Sequence, residues 1–279
     1  MQSANNLNNW LSDRERISLL MGILNMTPDS FSDGGRFGDG EEAAEAALRM
    51  VAAGAAIIDV GGESTRPGYT AVAADEQVRR IVPAIEGIRR KSSVTISVDT
   101  TRWAVAEAAL AAGANWVNDI SAGRDDPAML PGVAAADVPV ILMHRQEKME
   151  YLDVTKEVGD FLGERRAAAI DAGVAPQNIL LDPGIGFGKT VDHNLQLIRD
   201  TAVLAEIGAP LVVGASRKSF IGKVLNEPDP LRRRWGDAAI VSWIVANGAA
   251  VVRVHDVEGM GQVVRMTAAI KRRGLRTED

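Results

Sequence analysis

The chain has 279 residues, 46% hydrophobic and 24% charged, which suits one ordinary soluble globular domain with a large core. A net charge of −6 argues against a nucleic-acid partner, because neutralising phosphates needs a basic face, and the lack of cysteine excludes disulfides, thiolate catalysis and cysteine-held metals. The first twenty residues carry Asp13, Arg14, Glu15 and Arg16 and no apolar run reaches the roughly 20 residues of a membrane span, so no membrane partner and a cytoplasmic location are expected.

Residues 1–18, with Asn5-Asn6-Leu7-Asn8-Asn9, read as a lead-in and residues 19–279 as a single domain. An apolar run, Leu19–Leu24, ends at Asn25. A helix over Glu41–Ala53, opened by Asp39 or Gly40, reaches Gly54 and leads into Ile57-Ile58-Asp59. The amphipathic stretch Asp75–Arg90 precedes Val94–Val98, which ends at Asp99. Arg102–Ala112 reaches Gly113 and leads into Trp116-Val117-Asn118, and Val138–Met143 then ends at His144. Asp160–Ala172 and Gly173 precede Ile179-Leu180-Leu181-Asp182. Asn194–Ile207 and Gly208 precede Leu211-Val212-Val213 and Ser216. Asp237–Ala246 and Gly248 precede Val251-Val252-Arg253 and His255, and a helix over Gly259–Lys271 closes the chain.

Glycine suits the left-handed position that ends a helix, and a short all-apolar run is what a strand buried on both faces looks like. Strands alternating with helices predict right-handed parallel crossovers. Eight such runs, each ending on a polar or charged residue, predict an α/β fold, a single-domain (β/α)8 TIM barrel with its site at the strand C-termini. Their even spread over this length favours closure over an open doubly wound sheet.

The first loop, Asn25–Gly35, is longer than a connection needs and carries Phe31, Asp33 and three hydroxyls, although Pro28-Asp29 and Asp33-Gly34-Gly35 also suit ordinary turns. The second, Gly61–Gly68, sets Arg66 beside Ser64 and Thr65, a grouping able to grip an anion. Ser216-Arg217-Lys218-Ser219 and Arg253-Val254-His255 make the seventh and eighth strand ends cationic, where many barrels hold phosphate. Asp99, Asn118 and Asp182 each follow an apolar run, so they need partners, and a flat heterocycle with an N–C–N donor edge would supply them.

Other signals carry less. Gly184–Thr190 is like a phosphate-binding loop, but the first glycine of that motif falls on Pro183. His144, His193 and His255 have no metal-ligand spacing, Arg232-Arg233-Arg234 reads as a solvated helix face, and the tryptophans read as core or subunit contacts.

Together these loops resemble dihydropteroate synthases of the folate pathway. The matching stretches are Gly22–Gly35, Asp59–Gly68, Ser97–Thr100, Asn118–Ser121, Leu142–His144, Leu181–Lys189, Gly214–Phe220 and Arg253–Val257, in the family's order. The resemblance implies condensation of p-aminobenzoate with 6-hydroxymethyl-7,8-dihydropterin diphosphate to 7,8-dihydropteroate and pyrophosphate, with Mg2+ and as a homodimer. It implies that Asp99, Asn118 and Asp182 hydrogen-bond the pterin, with Lys218 at its carbonyl and Arg253 against its ring and the phosphates. Met143, Ile120 and Gly214 would line the ring pocket. Asn25 would ligate Mg2+, and Arg66 and His255 would contact phosphate. Phe31, Thr65, Pro67, Phe187, Lys218 and Ser219 would form the p-aminobenzoate pocket, which sulfonamides mimic a substrate to enter.

The chemistry is consistent with this. An arylamine is neutral at pH 7, so the barrier lies in C–O cleavage, which cations ease. Asp33 is then a candidate electrostatic stabiliser of a cationic methylene on an SN1-like path. The rival readings are a methyltetrahydrofolate:corrinoid methyltransferase-like barrel and a catalytically silent pterin-binding homologue. One departure from the pattern is the short run Arg145–Lys148 after His144, where the family usually has a longer segment containing Gly and Pro.

Overall fold

A computed structural model describes residues 17–26, 40–63 and 72–271. Its strands are β1 (Leu19–Asn25), β2 (Ile57–Gly61), β3 (Thr95–Asp99), β4 (Trp116–Asp119), β5 (Val140–Met143), β6 (Ile179–Asp182), β7 (Val212–Val213) and β8 (Val251–Val254). All pair in parallel in the order β6-β5-β4-β3-β2-β1-β8-β7. A single parallel bridge, Leu181 to Leu211, closes the remaining seam, and the Leu181 N–H donates to the Pro210 carbonyl at 3.0 Å. This is the closed (β/α)8 barrel, not the open sheet.

The helices on its outside are α1 (Gly40–Ala52), α2 (Ala74–Lys91), α3 (Trp103–Ala111), α4 (Met129–Ala136), α5 (Val154–Asp171), α6 (Val191–Arg199), α7 (Thr201–Leu204), α8 (Ser219–Leu225), α9 (Arg234–Ala246) and α10 (Val257–Lys271). Gly54, Gly113, Gly173, Gly208 and Gly248 all have φ between 96° and 112°, so the repeated glycine does end a helix and turn the chain toward the next strand. None of these helices is long and apolar enough to cross a membrane.

Several boundaries differ from the sequence-based expectation for identifiable reasons. Strand β2 does not stop at Asp59 but continues through Val60 and Gly61. Helix α5 starts six residues before Asp160, where the Asp153 carboxylate accepts the Lys156 N–H at 3.1 Å. The stretch expected as one helix over Asn194–Ile207 is two, with Asp200 between them leaving helical geometry at ψ 18°.

Two apolar cores result. The larger lies between strands and helices. The smaller fills the barrel floor with Met21, Ile57, Trp116, Ile141, Leu180, Val212 and Val251, one residue from each of seven strands. Strand side chains alternate, so the next inward-facing residues sit two positions further on. Those are Ile23, Asp59, Asn118, Met143, Asp182, Gly214 and Arg253, four of the seven polar or charged. The barrel therefore changes from hydrocarbon to charge within one layer of side chains.

Candidate active site

Above the apolar floor is a pocket. Asp99, Asn118, Ile120, Met143 and Asp182 line one part of its wall, and Phe187, Gly214, Lys218 and Arg253 line another. All nine were expected from sequence to meet a heterocycle or its neighbour. Gly184 and Ile185 also line it and were not foreseen. Phe31, Asp33, Thr65, Arg66 and Pro67 lie outside the described residues.

Arg253 organises the charge. Its Nε donates to Oδ2 of Asp59 at 2.6 Å, and a terminal nitrogen donates to Oδ2 of Asp99 at 2.8 Å. Asn118 Nδ2 donates to the same Asp59 oxygen at 3.1 Å. Asp59 is fully buried. Burial opposes charge on the guanidinium, but Asp59 and Asp99 outweigh it and hold Arg253 more firmly protonated than usual. Sequence reading placed Asp59 at a strand end and gave it no role, yet it is the counter-ion beneath the site.

The pocket carboxylates are poised close to neutrality. Burial pushes Asp99 up to about 7; Arg253 pulls it down, while Asp59 and Asp119 add to the rise. Burial also pushes Asp182 up to about 6, against the Gly184 N–H donated to its Oδ1 at 2.7 Å. Oδ2 of Asp99 is thus taken by Arg253 and Oδ1 of Asp182 by Gly184. Lys218 is pulled down to about 8, first by burial and then by Arg253. Its Nζ sits 4.0 Å from the centre of the Phe187 ring, a cation–π contact that ties the wall after β6 to the wall after β7.

The segment after β6 is not a phosphate-binding loop, and the structure shows why. Lys189 turns inward, is 5% exposed, and donates at 2.9 Å to the carbonyls of Gly184 and Phe187 and to Nδ1 of His144. Its three donors are spent on folding the Gly184–Gly188 turn under Phe187. Burial pulls Lys189 down to about 7. Burial, then Lys189 and Arg124, hold His144 down at about 3, so it stays neutral. Tyr151, beyond the loop after β5, donates to the Gly188 carbonyl at 3.1 Å and closes the same turn from outside.

The turn after β7 is equally tied. Arg217 has φ 59°, and Asp237 accepts its N–H at 3.0 Å while Arg233 donates to its carbonyl at 3.0 Å. Arg233 also reaches the carbonyls of Glu227 and Pro228 and is 8% exposed. It is therefore not the solvated residue expected, though Arg232 and Arg234 are exposed. These bonds set Lys218 facing the pocket and Ser219 at the first position of α8. At the rim, Asn25 ends β1, and a Cβ added to Gly61 would lie 3.7 Å from its Oδ1 and 3.5 Å from the Asp99 Cβ. Glu63 pinches the base of the second loop by accepting Val72 N–H at 3.1 Å and Gln77 Nε2 at 2.6 Å.

Comparison with known proteins gives one answer. Residues 21–255 match the pterin binding enzyme family. The dihydropteroate synthase of Synechocystis sp. is 46% identical, over 94% of this chain and 93% of its own. The dihydropteroate synthase of Xanthomonas albilineans, solved with 4-aminobenzoic acid, superposes with a TM-score of 0.89 at 41% identity, covering 93% of this chain and 95% of its own. The same enzyme with 7,8-dihydropteroate gives 0.87 at 39% identity over 94% and 97%. A barrel that pairs Arg253 with two carboxylates at the base of its pocket, over this full length of similarity, belongs to the pterin-binding enzymes and, within them, to the dihydropteroate synthase family.

Proposed function

We propose that this chain condenses p-aminobenzoate with 6-hydroxymethyl-7,8-dihydropterin diphosphate, and that its residues divide the work as follows. Asp182 and Asp99 accept the N–H donors of the pterin's amino-pyrimidine edge, and Asn118 supplies both a donor and an acceptor. Lys218 donates to the ring carbonyl. Ile120 and Met143 enclose the ring faces, Gly214 lets it approach the wall, and Arg253 lies against it. The observation that carries this reading is the convergence of nine sequence-predicted residues on one pocket floored by a buried ion triad.

Breaking the methylene C–O bond sends its electron pair onto the diphosphate. The leaving group is met by His255, with Arg66 assigned there by motif. The arylamine nitrogen then supplies its lone pair to the methylene carbon and sheds one proton. Asp33 is the residue we assign to opposing the developing positive charge, and Phe31, Thr65, Pro67, Phe187, Lys218 and Ser219 to seating the aminobenzoate.

Asn25 fits a role in holding Mg2+. It offers one neutral hard oxygen, and no cluster of carboxylates or histidines stands ready for a metal among the described residues. That donor set suits an ion whose charge is balanced by the diphosphate it accompanies. When bound, Mg2+ supplies electrostatic stabilisation of the departing oxygens. Action in the cytoplasm and homodimerisation belong to the same proposal. A dimer is supported by large apolar side chains left exposed on α9 and α10, Trp235 at 81%, Ile270 at 73% and Met266 at 63%.

Pyrophosphate release is expected only when p-aminobenzoate, the pterin diphosphate and Mg2+ are all present. Release at the same rate without p-aminobenzoate would leave a hydrolase and withdraw the synthase reading. A second expectation concerns pH. A carboxylate accepts the pterin donors only when ionised, and both pocket carboxylates have raised values, about 7 for Asp99 and about 6 for Asp182. Affinity for a pterin lacking the diphosphate should be complete above pH ~7.5 and fall about tenfold or more by pH ~5. Calorimetric titration at both values checks this, and flat affinity would place the donor edge elsewhere.

A further inference from the structure

The His255 ring is held by side chains that touch no substrate in the reading above. Ser216 Oγ lies 3.1 Å from Nδ1 of His255, 3.3 Å from its backbone nitrogen and 3.1 Å from Oδ2 of Asp237. Ser216 is 8% and Asp237 4% exposed, so these contacts are made with little access for water.

Counting protons decides the state of the ring. The His255 backbone N–H can only donate, and it occupies one lone pair of the serine oxygen. The Asp237 carboxylate can only accept, and its other oxygen already takes the Arg217 N–H at 3.0 Å. The Arg217 N–H, shared between both carboxylate oxygens at 3.0 and 3.2 Å, favours the Asp237 anion against the burial that pushes it up. The single hydroxyl proton of Ser216 therefore points at Asp237, and its remaining lone pair faces Nδ1. That nitrogen must carry a proton. A neutral ring protonated on Nδ1 has only an acceptor at Nε2, so it donates from Nε2 only as the imidazolium.

We propose that Asp237 and Ser216 act as positioning residues that fix the proton of His255 on Nδ1, so that His255 meets the diphosphate only as a cation. This rests on the reading of His255 as a diphosphate contact. The device selects for charge, because a neutral His255 turns a lone pair toward the phosphate oxygens and repels them. Other charges around the relay stay the same whichever way the proton points. Arg217 and Asp256 act on Asp237 in opposite senses, Asp256 is paired with Arg234 at 2.7 Å, and Arg253 is committed to Asp59 and Asp99.

Asp237→Asn tests it. The asparagine oxygen can still accept from Arg217, while its amide nitrogen donates to Ser216 and turns the hydroxyl proton toward Nδ1. In the ligand-free chain at about pH 9, where an ordinary imidazole is neutral, two-bond proton–nitrogen correlation spectra report which ring nitrogen is protonated. His255→Gln identifies the His255 signals by their loss. Nδ1 is expected to carry the proton in the wild type and Nε2 in the variant. Pyrophosphate binding, measured by calorimetry at constant Mg2+, gives the second readout. Between about pH 6 and 8.5 the wild type should lose about tenfold more affinity than Asp237→Asn, a ratio in which the titration of pyrophosphate itself cancels.

Should Asp237→Asn fold poorly, Ser216→Ala removes the same constraint and should shrink the same pH dependence. A neutral wild-type ring protonated on Nε2 overturns the proposal, as does a ratio that does not change with pH. Pyrophosphate affinity untouched by His255→Gln overturns it from the other side, by removing the phosphate contact rather than the relay.

Discussion

Arg253→Met is expected to abolish turnover and to lower folding stability by about 3–5 kcal/mol, the cost of leaving buried charge without its partner. The guanidinium is the counter-ion for two carboxylates at once, one of them fully buried. A methionine fills similar volume but leaves Asp59 and Asp99, on adjacent strands, without their shared counter-ion. The sign of the pH dependence follows. Burial already holds Asp99 above its unfolded value, and losing Arg253 removes the main influence opposing that rise, so the folded variant holds more protons than the unfolded chain, and its stability falls as pH rises above about 4. The gap between variant and wild type in chemical denaturation should therefore be narrow near pH ~4.5 and wide near pH ~8. Adding Asp59→Asn and Asp99→Asn to Arg253→Met should recover much of the stability and none of the activity. An Arg253→Met protein as stable as the wild type at every pH would show that the triad is not what holds the barrel mouth.

Lys189→Met separates two readings of the Gly184–Thr190 segment. If the lysine served a phosphate, its loss would weaken diphosphate binding and leave the fold alone. The structure predicts the reverse. Three buried acceptors, the carbonyls of Gly184 and Phe187 and Nδ1 of His144, lose their donor together. The expected cost is about 2–4 kcal/mol. Phe187 then loses its fixed position beneath Lys218, so the KM for p-aminobenzoate should rise about tenfold, while pyrophosphate affinity stays within about twofold. Lys189→Arg should not rescue, because a planar fork cannot reach three acceptors arranged around one ammonium. Unchanged stability with weakened pyrophosphate binding would restore the phosphate reading.

The eight strands were legible because a parallel strand covered on both faces reads as an unbroken apolar run. Their upper ends were less so. Polar residues usually mark where a strand stops, but in this barrel Asp59 points into the polar layer of the interior, and β2 carries on two residues past it. Helix α4 was not among the expected elements, and it carries Pro131 and Gly132, residues that ordinarily break a helix. Pro131 falls in the helix's first turn, where its missing N–H costs nothing, and Gly132 is there because a Cβ would come within 2.2 Å of the Trp103 indole. The lining of the pocket was readable from motifs at the strand ends. What held that lining in place was not, since Arg253 meets Asp59 across 194 residues and Asp237 meets Ser216 across 21. No spacing in the chain announces such pairs, and the burial of Arg233 between two exposed arginines has the same origin.

The cylinder is sewn shut by one stitch. Seven of its eight strand junctions are ladders, while β6 and β7 share only the bridge at Leu181 and Leu211. Directly above that stitch stand Asp182 on one lip and Gly214 and Lys218 on the other, all lining the pocket. A flat ring bound in the proposed pose would span the junction where backbone pairing is thinnest and add bonds the strands do not make. Substrate would then be part of the wall, and loading the site is expected to fasten the barrel at its weakest seam.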